Sequence, residues 1–452
     1  QKMLAAKKNR RQFPVYDPVF RDGKVPQKDT LLGTLEHIGP GDRGEANIFW
    51  ERATKRGEDG GWHDRGSKVT RQEKLCAISL VKRFAWAQHF SKIFDINTQA
   101  LRYADSATVA ASKWLTAGIQ LAPDDVRRKH GDWSGQWLHW STQQPPNDDM
   151  DEEKIHDEIW NAIKTKKKTQ GNPPTYFALL MFDGDKMGDR FNDAKSAHHY
   201  QRISRTLGNF TLNHIRKIVE EKYQGQLIYA GGDDALCLLP TETALACAAE
   251  INLHFRQNWD DGVKDIVMDF RPNLRKATIS GGLVVAHYKE DLRFVLDQAR
   301  RAEKAAKDAG RNALQITVCR RSGEHTSALI PWDFVPTMIE WVRGFLNKAS
   351  DRWAYKLRSD LPVVASNPQM FELELGRQLN RTEEITQKQF PLEKVQKALN
   401  LYLELRFRMV PLNCQWQSNQ TNVHSCMSCT EILENFVTLL QSASFLARGR
   451  DV

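Results

Sequence analysis

Cysteine is scarce in this chain, seven in 452 residues. They are too few and too unevenly spaced for a disulfide framework, and a reducing compartment is the expected setting. Long apolar runs are missing as well: nothing approaches the ~18 residues that cross a bilayer. The opening QKMLAAKKNRRQF has no apolar stretch of secretory-leader length, so a membrane role is excluded and the cytoplasm is expected. His-Asp doublets occur only at His63-Asp64 and His156-Asp157, without the further His and Asp spacing of a metal phosphohydrolase; chance pairing accounts for them. There is no acidic excess: 65 Lys and Arg against 56 Asp and Glu give a net charge of +9, which favours a polyanionic partner without naming it.

What is present centres on residues 226–240, QLIYAGGDDALCLLP. Two short apolar runs joined by Gly231, Gly232, Asp233 and Asp234 read as a β-hairpin, because glycine supplies the positive φ of tight turns. A preceding apolar run, residues 176–182, ends in Asp183-Gly184-Asp185, placing further acids at the C-terminal end of a strand. Acids converging from a strand end and a hairpin are hard oxygen ligands suited to Mg²⁺ or Mn²⁺ on nucleotide phosphates. The GGDD stretch taken alone reads equally as a plain surface turn.

The chain begins with Gln, as a piece of a longer product would. Residues 1–60 mix basic residues, Gly and Pro without a sustained period and read as irregular, with Lys2, Lys7, Lys8, Arg10 and Arg11 as solvated charge or phosphate contacts. Residues 61–172 read as a helical domain, carried by QEKLCAISLVKRFAWAQHF and SATVAASKWL. Within it Cys76 has no CxxC partner and reads as a buried thiol, and the Trp-rich GDWSGQWLHW reads as core or interface in preference to base stacking. The linker TQGNPP marks a boundary near residue 172. Residues 173–325 read as a palm in the order βαββαβ with one further αβ: an α+β, ferredoxin-like sheet with helices on one face. Residues 326–452 read as a C-terminal helical bundle built from three segments.

Joining nucleotides requires an activated 3′-hydroxyl and neutralised charge on the α-phosphate and pyrophosphate, which two ions held by shared carboxylates supply. Gly231 and Gly232, lacking Cβ atoms, let a nucleotide approach the backbone. In the run AKDAGRN (306–312), Gly310 closes a helix, and Lys307 and Arg311 either pair with its terminal carbonyls or bind triphosphate oxygens. Cys414, His424, Cys426 and Cys429 offer four zinc ligands with one CxxC, or unpaired thiols.

DGDKMG, YAGGDD, ISGGLVVAHYK and ARRAEKAAKDAGRNALQITVCRRSGE, in that order, resemble the polymerase-like large subunit of type III-B CRISPR effector complexes, the Cas-ten or Cmr-two family. Its palm is related to that of GGDEF cyclases. The resemblance is good over residues 175–325 and weaker upstream and at SFLARG. It implies a subunit of an RNA-guided complex, working with other effector subunits, crRNA and target RNA, that converts ATP to cyclic oligoadenylate. It implies metal ligation by Asp183, the Gly184 backbone, Asp233 and Asp234, a nucleotide bordered by Gly231, Gly232 and Ser280, and phosphates met by Lys307 and Arg311. Asp185 is either a further ligand or the N-cap of the next helix. Ala235 stands where a diguanylate cyclase hairpin carries Phe, so guanine recognition is not supported. The family's HD nuclease and first palm are not legible in these residues, and its zinc cysteines reduce to Cys76. DNA cleavage by this chain is therefore not expected, and the alternative to catalysis is a scaffold that holds crRNA, target RNA and partner subunits.

Overall fold

Contacts divide the chain after Arg102 into two units, 1–102 and 103–452. The structure, a computed structural model, describes residues 24–31, 33–54, 69, 73–95, 103–118, 120–130, 133–141, 155–409 and 429–449. In the first unit, a helix at Arg43–Thr54 occupies part of the stretch read as irregular. Asp42 caps it, its Oδ1 accepting the N–H of Gly44 at 2.8 Å and of Glu45 at 3.2 Å. Only Ala46, Trp50 and Thr54 are buried, one side chain per turn, and so sparse a stripe leaves little period to read. Trp50 packs with Val69 and Leu75. Cys76 is a buried thiol whose Sγ accepts the Ser79 N–H at 3.4 Å at the start of helix Ala77–Ala85. Lys2, Lys7, Lys8, Arg10 and Arg11 lie outside the described residues.

The second unit opens with helices Ser106–Ala110, α1 (Pro123–His130) and α2 (Asp157–Gln170), then the palm: β1 (Tyr176–Gly184), α3 (Ala197–Phe210), β2 (Gln226–Ala230), β3 (Ala235–Pro240), α4 (Thr241–Val263), β4 (Ile279–His287), α5 (Leu292–Asp308), β5 (Ala313–Cys319) and β6 (His325–Pro331). The six strands form one sheet ordered β2-β3-β1-β4-β5-β6. β1 runs antiparallel to both β3 and β4, and β2 antiparallel to β3, which is the ferredoxin-like arrangement; β5 adds in parallel to β4 and β6 antiparallel to β5.

The sheet is covered on both faces, not one. Tyr176, Ala178, Leu180 and Phe182 enter a core shared with α3 and α4. Phe177 and Leu179, from the other face of β1, meet Val295 and Ala299 of α5 and Val109 and Ala110 of the helix Ser106–Ala110. A strand buried on both sides is apolar without alternation, as YFALLMF is. The boundary near residue 172 is therefore not where the chain divides, because residues from 106 onward already pack on the palm. The tryptophans of GDWSGQWLHW that fall among the described residues are structural: Trp133 and Trp137 are buried beside Trp160, and Trp133 Nε1 donates to Thr108 Oγ1 at 2.8 Å.

At the far edge the palm extends past residue 325 through β6, whose first three residues are polar and whose last four are buried. The helices that follow, Val335–Leu346, Arg352–Val364, Pro368–Asn380, Leu392–Met409 and Cys429–Arg448, do not form a separate bundle. Their apolar faces, including Met338, Trp341, Tyr402 and Phe436, share one continuous core with β1 and α4. No helix among the described residues is long and apolar enough to cross a membrane.

Candidate metal centre and nucleotide site

The hairpin between β2 and β3 is closed by the Gly231 N–H donating to the Asp234 carbonyl at 2.9 Å. Gly232 has a φ of +100°, a conformation that glycine takes without strain. Thr211, in the continuation of α3, clamps the turn: its hydroxyl accepts the Gly232 N–H at 3.0 Å and lies 3.2 Å from the Gly232 carbonyl. Asp233 points back to the end of β1, where a Cβ on Gly184 would stand 2.8 Å from the Asp233 Cβ and 3.1 Å from its Oδ2. Only glycine at position 184 admits that approach.

Across β1, Asp183 accepts a hydrogen bond from Lys307 Nζ at 2.5 Å. Lys307 lies in the last turn of α5 and is also ion-paired with Glu303, one turn earlier. Burial opposes its charge, but the hydrogen bonds of Asp183 and Glu303 outweigh burial and raise its pKa. Asp234 Oδ1 lies 3.3 Å from the Tyr229 hydroxyl, and the negative charge of Asp234 is the chief cause that raises the Tyr229 pKa. Asp233 has burial and the neighbouring charge of Asp183 against it, and its carboxyl is raised to about 6.

These acids fit a hard divalent cation, being carboxylates held on a strand end and a tight turn. Among the described residues they do not yet form a set of three ligand atoms mutually within 4.8 Å. Lys307 holds Asp183 toward α5 and Tyr229 holds Asp234 toward β2, so two of the three carboxylates are engaged by other partners. Tyr229 and Glu303 were not singled out from sequence; the first stands two residues before the GG pair, and the second is one turn before Lys307, spacings that carried the signal.

Asp185 and Ser280 belong to the frame of the palm. Asp185 is buried; it accepts the Thr278 hydroxyl at 2.7 Å, the Ser280 hydroxyl at 2.7 Å and the Asn312 N–H at 3.1 Å. It is not an N-cap, since the short helix Met187–Asn192 has Lys186 as its N-cap, without a side-chain hydrogen bond. Ser280 is fully buried, and its hydroxyl is spent on Asp185. At the α5 terminus the last carbonyls are met by backbone N–H groups, not by the Lys307 side chain, which goes to Asp183 and Glu303. Gly310 at φ +114° and the bonds Gly310 N–H to Lys307 O (3.3 Å) and Arg311 N–H to Ala306 O (3.1 Å) close the helix through backbone. That leaves the side chain of Lys307 facing the acids and Arg311 exposed. Cys414, His424 and Cys426 lie outside the described residues, and Cys429 opens the last helix.

Residues 176–315 match the second palm domain of Cas10/Cmr2. The CRISPR system Cmr subunit Cmr2 of Pyrococcus furiosus is 27% identical over 310 residues, covering 58% of this chain and 34% of that protein. The CRISPR system single-strand-specific deoxyribonuclease Cas10/Csm1 (subtype III-A) of Streptococcus thermophilus is 24% identical over 246 residues, 51% of this chain and 30% of that protein. The chain thus spans about a third of the length of these curated relatives. A solved structure, the Type III-B Cmr-beta complex in its apo state, aligns with a TM-score of 0.49 at 12% identity, covering 85% of this chain and 57% of that one.

Proposed function

The chain belongs to the Cas10/Cmr2 family, and from that premise we propose that its GGDD palm joins ATP molecules into cyclic oligoadenylate within an RNA-guided type III effector complex. The observation that carries this reading is the approach of Asp233 to Gly184, which sets hairpin acids against the end of β1. Asp233 is held there although burial and the charge of Asp183 raise its carboxyl to about 6, and an acid kept in such surroundings marks a site built to receive positive charge.

Asp183, the Gly184 carbonyl, Asp233 and Asp234 would hold Mg²⁺ or Mn²⁺. Such ions, when bound, favour ionisation of a ribose 3′-hydroxyl and neutralise charge on the α-phosphate and leaving pyrophosphate. The chain's own residues do the rest. Gly231 and Gly232 leave room for a nucleotide against the hairpin backbone. Lys307 exchanges Asp183 for a phosphate oxygen, with Glu303 keeping its ammonium charged and aimed during the exchange, and Arg311 meets the outer phosphates from the exposed turn. Other effector subunits, crRNA and target RNA are the proposed partners.

The test is product analysis by mass spectrometry. The chain, with whatever subunits co-purify, is incubated with ATP and Mg²⁺ or Mn²⁺, with and without complementary target RNA, beside an Asp233→Ala/Asp234→Ala control. Target-dependent cyclic oligoadenylate that vanishes in the control is the expected result. A complex that binds target RNA and leaves ATP untouched under both metals overturns the proposal in favour of a scaffold role.

A further inference from the structure

Helix α1 ends on His130, and His156 is the N-cap of α2, with Glu158 the second residue of that helix. The two imidazole rings lie with centroids 4.2 Å apart, and His130 Nε2 is 3.6 Å from Glu158 Oε2. One ligand atom from each of the three residues falls within 4.8 Å of the other two, the only such trio of His, Cys, Asp or Glu among the described residues. The palm acids, by the same measure, do not gather so closely.

We propose that His130, His156 and Glu158 form a zinc site. Two imidazoles and a carboxylate are a donor set for Zn²⁺, and three protein ligands leave a fourth position to water. A tetrahedral ion with bonds of about 2.1 Å needs ligand atoms roughly 3.4 Å apart, so closure is on the order of 1 Å. The exposed His156 and Glu158 side chains supply that by rotation. The backbones are already fixed: Val126 of α1 and Ile159, Trp160 and Ile163 of α2 share one buried core, so the ligands sit on packed elements. His156 Nδ1 accepts the Glu158 N–H at 3.4 Å, at the limit of hydrogen bonding, and little is lost if the ring turns to a metal.

Glu158 has one competing partner of note. Lys129 Nζ donates to both of its oxygens, at 2.6 and 2.7 Å. That pair is exposed on both sides, 62% and 58%, and an exposed ion pair is weak enough to yield to a divalent cation. The bound ion would tie the end of α1 to the start of α2. This site is independent of the palm and of its chemistry.

The test measures bound zinc by mass spectrometry of the dialysed protein, in a background carrying Cys426→Ser and Cys429→Ser so that no thiolate pair competes. The expected result is a single zinc equivalent, lost in His130→Ala/His156→Ala, with Zn²⁺ raising the melting temperature of the parent alone. Lys129→Ala, which leaves all three ligands in place, should bind zinc up to about five-fold more tightly by removing the competing ammonium. Equal zinc in parent and double variant, or no zinc in both the parent and Lys129→Ala at micromolar metal, overturns the site. Should the double variant fail to fold in EDTA, the Lys129→Ala comparison decides.

Discussion

Lys307 Nζ stands 2.5 Å from Asp183 Oδ2, so the base at the end of α5 engages a carboxylate that the proposed metal centre requires. The ammonium thus serves as a stand-in for positive charge among the acids, and a metal and the ammonium compete for Asp183. Lys307→Met should release Asp183 and strengthen Mn²⁺ binding several-fold in the absence of nucleotide, measured by the electron paramagnetic resonance signal of free Mn²⁺. ATP turnover by the assembled complex should fall roughly 10- to 100-fold, the worth of a charge-assisted hydrogen bond to phosphate. The two readouts move in opposite directions, which a general loss of folding would not produce.

Asp233, with its carboxyl raised to about 6, binds its proton more tightly in the folded than in the unfolded chain. Its ionisation therefore costs stability fully above about pH 6, and the cost fades as pH falls toward the ordinary value of 3.8. Asp233→Asn should stabilise the fold at pH 8 by on the order of 2 kcal/mol and change it little at pH 4. Urea unfolding at the two pH values measures this. Adding Mg²⁺ at pH 8 should stabilise the parent and leave the variant unmoved, since a bound cation offsets the same burial and repulsion of the charge that Asn removes.

The parts of this fold legible in sequence are those where one residue type does one job. The unbroken run YFALLMF marked the central strand; GGDD marked the hairpin; Gly310 marked the end of α5. The sheet's far edge was not legible, because β6 carries His325, Thr326 and Ser327 before its buried residues and looks like a loop. Helix Arg352–Val364 contains Pro362, which reads as a break. Helix Pro368–Asn380 did carry a signal, for Asn367 caps it through the N–H groups of Gln369 and Met370. Ser280 pairs with Asp183 across the β1–β4 ladder and so stands on the site's side of the sheet. The Asp185 carboxylate takes its hydroxyl there, and no spacing in the sequence reports that.

Gly184→Ala tests the closest contact in the site. The new Cβ would stand 2.8 Å from both the Asp233 Cβ and the Met187 Cγ, so the hairpin must retreat from β1. Overpacking of this kind costs about 1–3 kcal/mol, and the palm should remain folded by circular dichroism. Metal-dependent ATP turnover should be lost while crRNA and target binding by the complex persist. Turnover at the parent's rate would show that the approach of Asp233 to Gly184 is not needed for chemistry.

Asp185 and Ser280 separate framework from site. Asp185→Ala leaves the hydroxyls of Thr278 and Ser280 and the Asn312 N–H without their acceptor, and removing a buried charged acceptor of several hydrogen bonds should cost about 3 kcal/mol or more. Ser280→Ala removes one of those bonds and should cost about 1 kcal/mol. Because the Ser280 hydroxyl is buried against Asp185, its loss should leave the apparent affinity of the complex for ATP unchanged. Denaturant midpoints and the KM for ATP, measured on the same preparations, distinguish the two roles. A lowered midpoint with an unchanged KM places Ser280 in the frame that holds β4 to the end of β1; an unchanged midpoint with a raised KM would return it to the nucleotide's edge.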